Sequence, residues 1–153
     1  NVDDRETLAG LLQVLVEISA RIPLVFPIHP RTRARVEAFQ LTELLTTAPR
    51  LQLLEPQGYI DFLCLTSQAK VIVTDSGGLQ EESTALGIPC LTMRANTERP
   101  ITCEEGSGTL IGSSASGLRT QLESVLAGQY KPSQCPELWD GKAAVRIAQL
   151  LVA

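Results

Sequence analysis

The chain has 153 residues, with 13 lysines and arginines against 17 aspartates and glutamates, a net charge of −4. That length suits one domain with a sizeable core, and the acidic balance argues against a nucleic-acid surface while allowing a local basic patch for phosphate. No apolar run approaches the roughly 20 residues needed to cross a bilayer. With no signal-peptide pattern either, a cytoplasmic protein without membrane contact is expected. The cysteines Cys64, Cys90, Cys103 and Cys135 form no C-x-x-C pair, and the chain holds a single histidine. Neither a zinc site nor a disulfide is expected. Cys64 and Cys90 lie in apolar contexts and read as small core residues.

The predicted elements alternate. Leu8, Leu11, Leu12, Leu15 and Ile18 form a helical stripe, with Asp3 or Asp4 available as N-cap. Ile22 to Ile28 reads as a buried strand ending at Pro27, and Pro30 opens a helix whose apolar face holds Val36 and Phe39. A strand over 51–54 and a helix over 57–69 follow. Val71 to Thr74 is a strand that feeds a glycine turn. A helix over 78–86 ends at Gly87, a natural left-handed stop before Ile88-Pro89. Strands over 90–93 and 109–111, then helices over 114–126 and 141–152, complete the chain, with a loop at 128–140. Spacing of this kind predicts an α/β fold: a Rossmann-like parallel sheet with helices on both faces, ligands sitting beyond the strand C-termini.

Residues 73–100, VTDSGGLQEESTALGIPCLTMRANTERP, are the most informative. Ser76, Gly77 and Gly78 join a strand to a helix, so free backbone N–H groups point out of the helix N-terminus, where the macrodipole favours an anion. The glycines allow close approach of a ligand to the backbone. Glu82 follows six residues after Ser76, and Arg99 lies beyond the next strand. A phosphate cradle with a carboxylate and a guanidinium nearby is the outline of a nucleotide-sugar site. The same string, taken alone, also fits a plain βα turn with Ser76 as N-cap. Glu81 and Glu82 are adjacent and point about 100° apart on a helix.

The longer string DSGGLQEES-x-x-LG-x-P with the MRANTERP loop resembles the UDP-N-acetylglucosamine 2-epimerase family. Further matching stretches are PQGYIDF at 56–62, EEGSGTLIG at 104–112 and WDGKAAVRI at 139–147. The resemblance covers nearly the whole chain but only the C-terminal half of a family member. It implies one UDP-sugar-binding domain over 1–153, the C-terminal half of a two-domain, glycosyltransferase-B-like enzyme whose N-terminal catalytic domain is absent. An opening on Asn1, where the family has just passed a T-H-R-x-E stretch, reads as a fragment.

The resemblance also implies residue roles. The nucleotide diphosphate would rest on Ser76, Gly77 and Gly78. The carboxylate of Glu82 would accept from the ribose hydroxyls, and Arg99 would face sugar or phosphate oxygens. Gln57 and Phe62 match the nucleotide-contacting pair, the amide suiting a uracil edge and Phe62 meeting the base through its backbone or ring. Phe62 equally reads as a core residue of an amphipathic helix. His29 and Arg94 are further pocket candidates. His29 sits in His29-Pro30-Arg31-Thr32 where many members have H-x-N-P, which withdraws the role seen for that motif. Glu81 is left as a surface or packing residue, Glu98 as a loop-shaping one, and Gln80 has no role.

For the whole protein the resemblance implies interconversion of UDP-N-acetylglucosamine and UDP-N-acetylmannosamine. UDP would be eliminated to a 2-acetamidoglucal and then re-added with inversion at C2, in a pathway feeding polysaccharide biosynthesis. The acid/base groups belong to the absent half, so no catalytic residue is expected here, nor any cofactor, and the chain alone should not turn over. Its partners would be UDP-N-acetylglucosamine or UDP, the absent N-terminal domain and, as commonly in the family, a second copy. Two other readings stay open: the C-terminal nucleotide-sugar domain of a two-Rossmann-domain glycosyltransferase, and a non-catalytic nucleotide-sugar-binding domain.

Overall fold

A computed structural model describes residues 2–152, in which five short parallel strands alternate with eight helices among the described residues. In chain order these are α1 (Arg5–Ser19), β1 (Leu24–Pro27), α2 (Pro30–Ala38), α3 (Thr42–Thr46), β2 (Leu51–Leu54), α4 (Tyr59–Ser67), β3 (Ile72–Thr74), α5 (Gly77–Leu86), β4 (Cys90–Thr92), α6 (Ile101–Glu104), β5 (Gly108–Leu110), α7 (Ala115–Leu126) and α8 (Ala143–Leu151). The expected elements are present within a few residues of their ends. The two short helices α3 and α6 were not anticipated.

Pairing departs from a single continuous sheet. β1 pairs with β2, and β3, β4 and β5 form a separate ladder in that order, all parallel. Parallel strands of three or four residues are short, and each ladder is completed by connections through helices.

Alternation along the strands builds a core on each face. Val71, Val73, Leu91 and Met93 face Leu11, Val14 and Ile18 of α1 and Leu118 and Leu122 of α7. The intervening Ile72 and Cys90 pack instead with Ile88, Ala69 and Leu79 on the other side. Helices therefore cover both faces of the β3–β5 ladder. α1 also closes a second cluster, in which Leu8 and Leu12 meet Val36, Leu41, Leu45, Phe26 and Leu51. The Asp4 carboxylate caps α1 by accepting from the Thr7 N–H at 2.7 Å. Arg119 to Glu17, at 2.8 Å, joins α7 to α1, and Arg21 to Glu123 joins α7 to the turn just after α1, both along the solvent edge.

Two helices are less covered than their sequences suggest. On α4, Tyr59 and Ile60 are 63% and 72% exposed. Cys64 is exposed as well, so of the two cysteines expected in the core only Cys90 is buried. An apolar run places a residue on a helix but does not say which side another element will cover. α8 is strongly amphipathic yet buries no residue among those described. Its Arg146 pairs with Asp140 through two contacts of 2.9 and 2.6 Å, holding that carboxyl down to about 2.

The N-terminal edge of the β3–β5 ladder, where α5 and α6 return to the strands, is shaped by two glycines. Gly87 ends α5 in the left-handed region at φ 68°, its N–H bonded back to Thr84, as a glycine C-cap does. Gly106 lets the chain after α6 press on α5. A Cβ there would lie 2.5 Å from the Thr84 side chain and 2.7 Å from the Thr102 carbonyl oxygen. Gly106→Ala should therefore cost about 1–3 kcal/mol through overpacking against backbone that cannot retreat, read as a lower urea midpoint at unchanged m-value.

The thiols give a second check. Burial pushes the Cys90 thiol up in pKa, and the thiolate is the reactive form. A maleimide or disulfide reagent at pH 8 should label Cys64 and Cys135 in the native protein and reach Cys90 only after unfolding.

Candidate functional site

The turn after β3 is built by its own side chains. The Thr74 hydroxyl accepts the Ser76 N–H at 3.0 Å, which turns the chain away from the strand. Ser76 is then the N-cap of α5 in extended geometry, but its side chain makes no capping bond, leaving the hydroxyl outward. The first N–H groups of α5 have no acceptor within the helix, and no acidic residue stands in its first turn. A helix N-terminus left in this state presents donors and a positive dipole end together.

Helical periodicity divides the two glutamates between two faces. Residues four apart share a face of a helix, so Glu81 stands on the stripe of Gly77 and Glu82 on that of Gly78. At the first of these faces stands Arg99. Its guanidinium carbon and Nη1 lie 3.9 and 3.8 Å from where a Cβ on Gly77 would be. Glu81 Oε2 is 2.9 Å from Arg99 Nε, and the looser Glu98 contact to Nη1 is 3.6 Å. The buried Nε–H is poorly aligned with the carboxylate and has no true hydrogen bond, so the Glu81 pair is an ionic contact. Glu81, with Glu98 a smaller contributor, holds the guanidinium above its ordinary pKa. Arg99 stays charged beside the turn.

The second face is open. Nothing lies within 4 Å of a Cβ built on Gly78, and Glu82 is half-buried and not part of the Arg99 pair. Glu82, expected from the resemblance to meet the ribose, stands clear of the Arg99 pair, whereas Glu81, expected as a surface or packing residue, is the ionic partner of Arg99.

The loop after β4 delivers the arginines. Met93 N–H bonds the Thr74 carbonyl, and the Arg94 carbonyl accepts the Gly112 N–H, so Arg94 stands at the C-terminal edge of the ladder beside the turn's own strand. The Thr97 hydroxyl accepts the Arg99 N–H at 3.0 Å in a local Ser/Thr turn and donates to Gln80 Oε1 at 2.7 Å. Gln80, given no role from sequence, is fully buried under the site.

The remaining candidates come from other strand ends. Gln57 is exposed after β2, its amide nitrogen donating to the Glu55 carbonyl at 2.6 Å. Phe62 is half-buried on α4, and its backbone N–H is taken by the Gly58 carbonyl at 2.9 Å, which leaves the ring rather than that N–H available to a base. His29 caps α2, Nδ1 accepting the Arg31 N–H at 3.2 Å, and is exposed. That local task accounts for a histidine at a strand end. A cleft of about 350 Å³ lies elsewhere, lined by Leu110, Ile111, Ser116, Gly117, Thr120 and Gln121, with no charged side chain. Among the described residues no group of three or more His, Cys, Asp or Glu could hold a metal ion, and no helix is long and apolar enough to cross a membrane.

Parallel ladders, one of them covered by helices on both faces, with a glycine-headed helix opening at the strand C-termini, define a Rossmann-like α/β domain. Residues 1–152 match the family described as UDP-N-acetylglucosamine 2-epimerase, and the chain belongs to that family. It is 38% identical to the UDP-N-acetylglucosamine 2-epimerase of Methanocaldococcus jannaschii, over 99% of this chain and 41% of that relative. It is 32% identical to the UDP-2,3-diacetamido-2,3-dideoxy-D-glucuronate 2-epimerase of Pseudomonas aeruginosa, again over 99% of this chain and 41% of the relative. The crystal structure of the M. jannaschii enzyme in complex with UDP-GlcNAc and UDP superposes with a TM-score of 0.83 at 37% identity, covering 99% of this chain and 42% of that one. The chain thus spans about two fifths of the length of these relatives. Membership of this family sets aside the glycosyltransferase reading.

Gly78 offers a test of the local geometry. Because its Cβ position is empty, Gly78→Ala should leave the fold intact and stabilise α5 by a few tenths of a kcal/mol, up to about 1, seen as a small rise in Tm.

Proposed function

We propose that this chain is the UDP-binding part of a UDP-sugar 2-epimerase, with the turn Ser76-Gly77-Gly78 holding the diphosphate. The observation that carries this reading is the uncapped N-terminus of α5 with a charged guanidinium 3.8 Å from the Gly77 Cβ position. Donors and cation converge there on one small volume, as an oxyanion requires. Glu82 on the open stripe is assigned to the ribose hydroxyls, with Gln57 and Phe62 at the nucleobase. Arg94 and His29 are assigned to the rim.

The relatives support a division of labour. Their names specify different sugars, N-acetylglucosamine in one and a diacetamido uronate in the other, but UDP in both. A part of the protein that binds the nucleotide serves either sugar. In the reaction so proposed, UDP leaves C1 as the proton leaves C2, giving the 2-acetamidoglucal, and returns as a proton is delivered to the opposite face of C2. The cradle and Arg99 stabilise the charge on the departing diphosphate. Proton transfer at C2 needs an acid/base pair, which we assign to the part of the protein outside this chain. The chain by itself is then a binding domain without turnover, in a cytoplasmic enzyme of polysaccharide precursor synthesis.

Calorimetric titration with UDP, with AMP as comparison, tests the assignment. UDP should bind in preference to AMP, and Glu82→Ala and Arg99→Ala should each weaken UDP roughly tenfold or more, as the loss of a charge-assisted contact does. Gly78→Ala should weaken UDP while leaving Tm the same or higher. Wild-type affinity in both the Glu82 and Arg99 variants would place the nucleotide elsewhere.

A further inference from the structure

The hydrogen bonds behind Arg99 form one continuous path to the turn. Gln80 is fully buried on α5, its Nε2 donating to the Ser76 carbonyl at 3.4 Å and its Oε1 accepting from Thr97 Oγ1 at 2.7 Å. Thr97 Oγ1 accepts the Arg99 N–H at 3.0 Å, and the Arg99 carbonyl accepts from Thr102 Oγ1 at 2.7 Å.

Only one arrangement of protons satisfies this path. A carbonyl can only accept, so the amide nitrogen of Gln80 must face Ser76 and its oxygen must face Thr97. The Thr97 hydroxyl therefore spends its proton on Gln80 and keeps a lone pair for the Arg99 N–H. Each member fixes the next. The backbone that carries the guanidinium is thereby tied to the carbonyl of the residue that heads the turn.

We propose that Gln80 and Thr97 are positioning residues: they hold the backbone of Arg99 in register with the Ser76–Gly77 turn, so that the guanidinium and the first N–H groups of α5 meet the same anion. Neither side chain touches the ligand. Glu81 completes the arrangement from the other side, orienting the guanidinium through the contact at 2.9 Å. A long arginine on a loop otherwise loses much of its rotamer freedom on binding, and holding it in place beforehand lowers that cost. The inference rests on the reading that the turn binds the UDP diphosphate.

The test is a double-mutant cycle on UDP affinity in the full-length enzyme, with Thr97→Val and Thr97→Ser each made with Arg99 present and with Arg99→Ala. Thr97→Val should weaken UDP about fivefold to tenfold, the range for one lost hydrogen bond in a pre-ordered site. Thr97→Ser, which restores the hydroxyl, should recover most of the affinity. With Arg99 already removed, Thr97→Val should change affinity by less than about twofold, because the effect passes through the arginine. Equal weakening with and without Arg99 would mean general loosening of the loop and would overturn the proposal, as would wild-type affinity in Thr97→Val. If Thr97→Val does not fold, Thr97→Ala enters the same cycle. An Arg99→Ala enzyme that binds UDP normally would remove the diphosphate reading and this proposal with it, whereas a weakened Arg99→Ala with an unaffected Thr97→Val removes the proposal alone.

Discussion

Helix α5 stands on a polar face, and the geometry of the site depends on it. Gln80, Ser83 and Thr84 occupy the inward stripe at i, i+3 and i+4 and are all buried. Small and polar side chains let the helix come closer to its neighbours than leucines would, and Gly106 admits the backbone after α6 against Thr84. Buried polar groups must find partners or cost free energy. Gln80 finds two and the Ser83 hydroxyl bonds the Gln80 carbonyl at 3.1 Å, but the hydroxyls of Thr84 and Ser107 have none. The close approach of α5 to the loop before β5 is thus held in place at the cost of two unsatisfied hydroxyls, each worth about 1–3 kcal/mol if fully desolvated.

Once α5 is fixed, the rest of the site follows from one helical turn. The stripe of Gly77 and Glu81 takes the arginine, and the stripe of Gly78 and Glu82 is left free. Two adjacent carboxylates with the same chemistry acquire different tasks because they lie on different sides of a helix, one neutralising a cation and the other available to a ligand. Were Arg99 to pair with Glu82 instead, its charge would be spent across the open face. The Thr97–Gln80 path prevents this by setting where the loop carrying the guanidinium departs.

Most of the fold was legible because the signals were local. The β-branched run at 71–74 and the glycine at 87 carry their conformations in their own covalent structure, and Asp4 and Ser114 announce helix starts with side chains that do cap. The missed elements have no such signal. α3 and α6, with five and four residues, are too short to show a 3.6-residue period. The inward face of α5 was invisible to hydrophobic patterning because it is polar, and the turn chemistry alone revealed the helix. Cys64 failed for the converse reason: an apolar run such as Phe62-Leu63-Cys64-Leu65 is hydrophobic all round, and only tertiary packing decides which side is covered. The role of Glu81 depended on where a loop 18 residues away in sequence would return, which no local rule contains.

On the proposed reading, the openness of the cradle bears on how the chemistry is divided. Hydrogen-bond donors at an exposed helix N-terminus act through water, where a charge interaction at 4 Å is worth about 1 kcal/mol, several-fold less than near the protein interior. The same donors gain their strength when the site is closed and water is displaced. Stabilising a leaving diphosphate therefore requires a cover as well as a cradle, and this chain provides the cradle. The proton must be handled on the sugar, away from the diphosphate, since a base beside Arg99 would pair with the guanidinium as Glu81 does. A base carried on a covering part of the protein outside this chain would meet both requirements at once. On that reading the anion would be desolvated only as the proton-transfer groups arrive, and UDP alone on the open surface would be held without reaction.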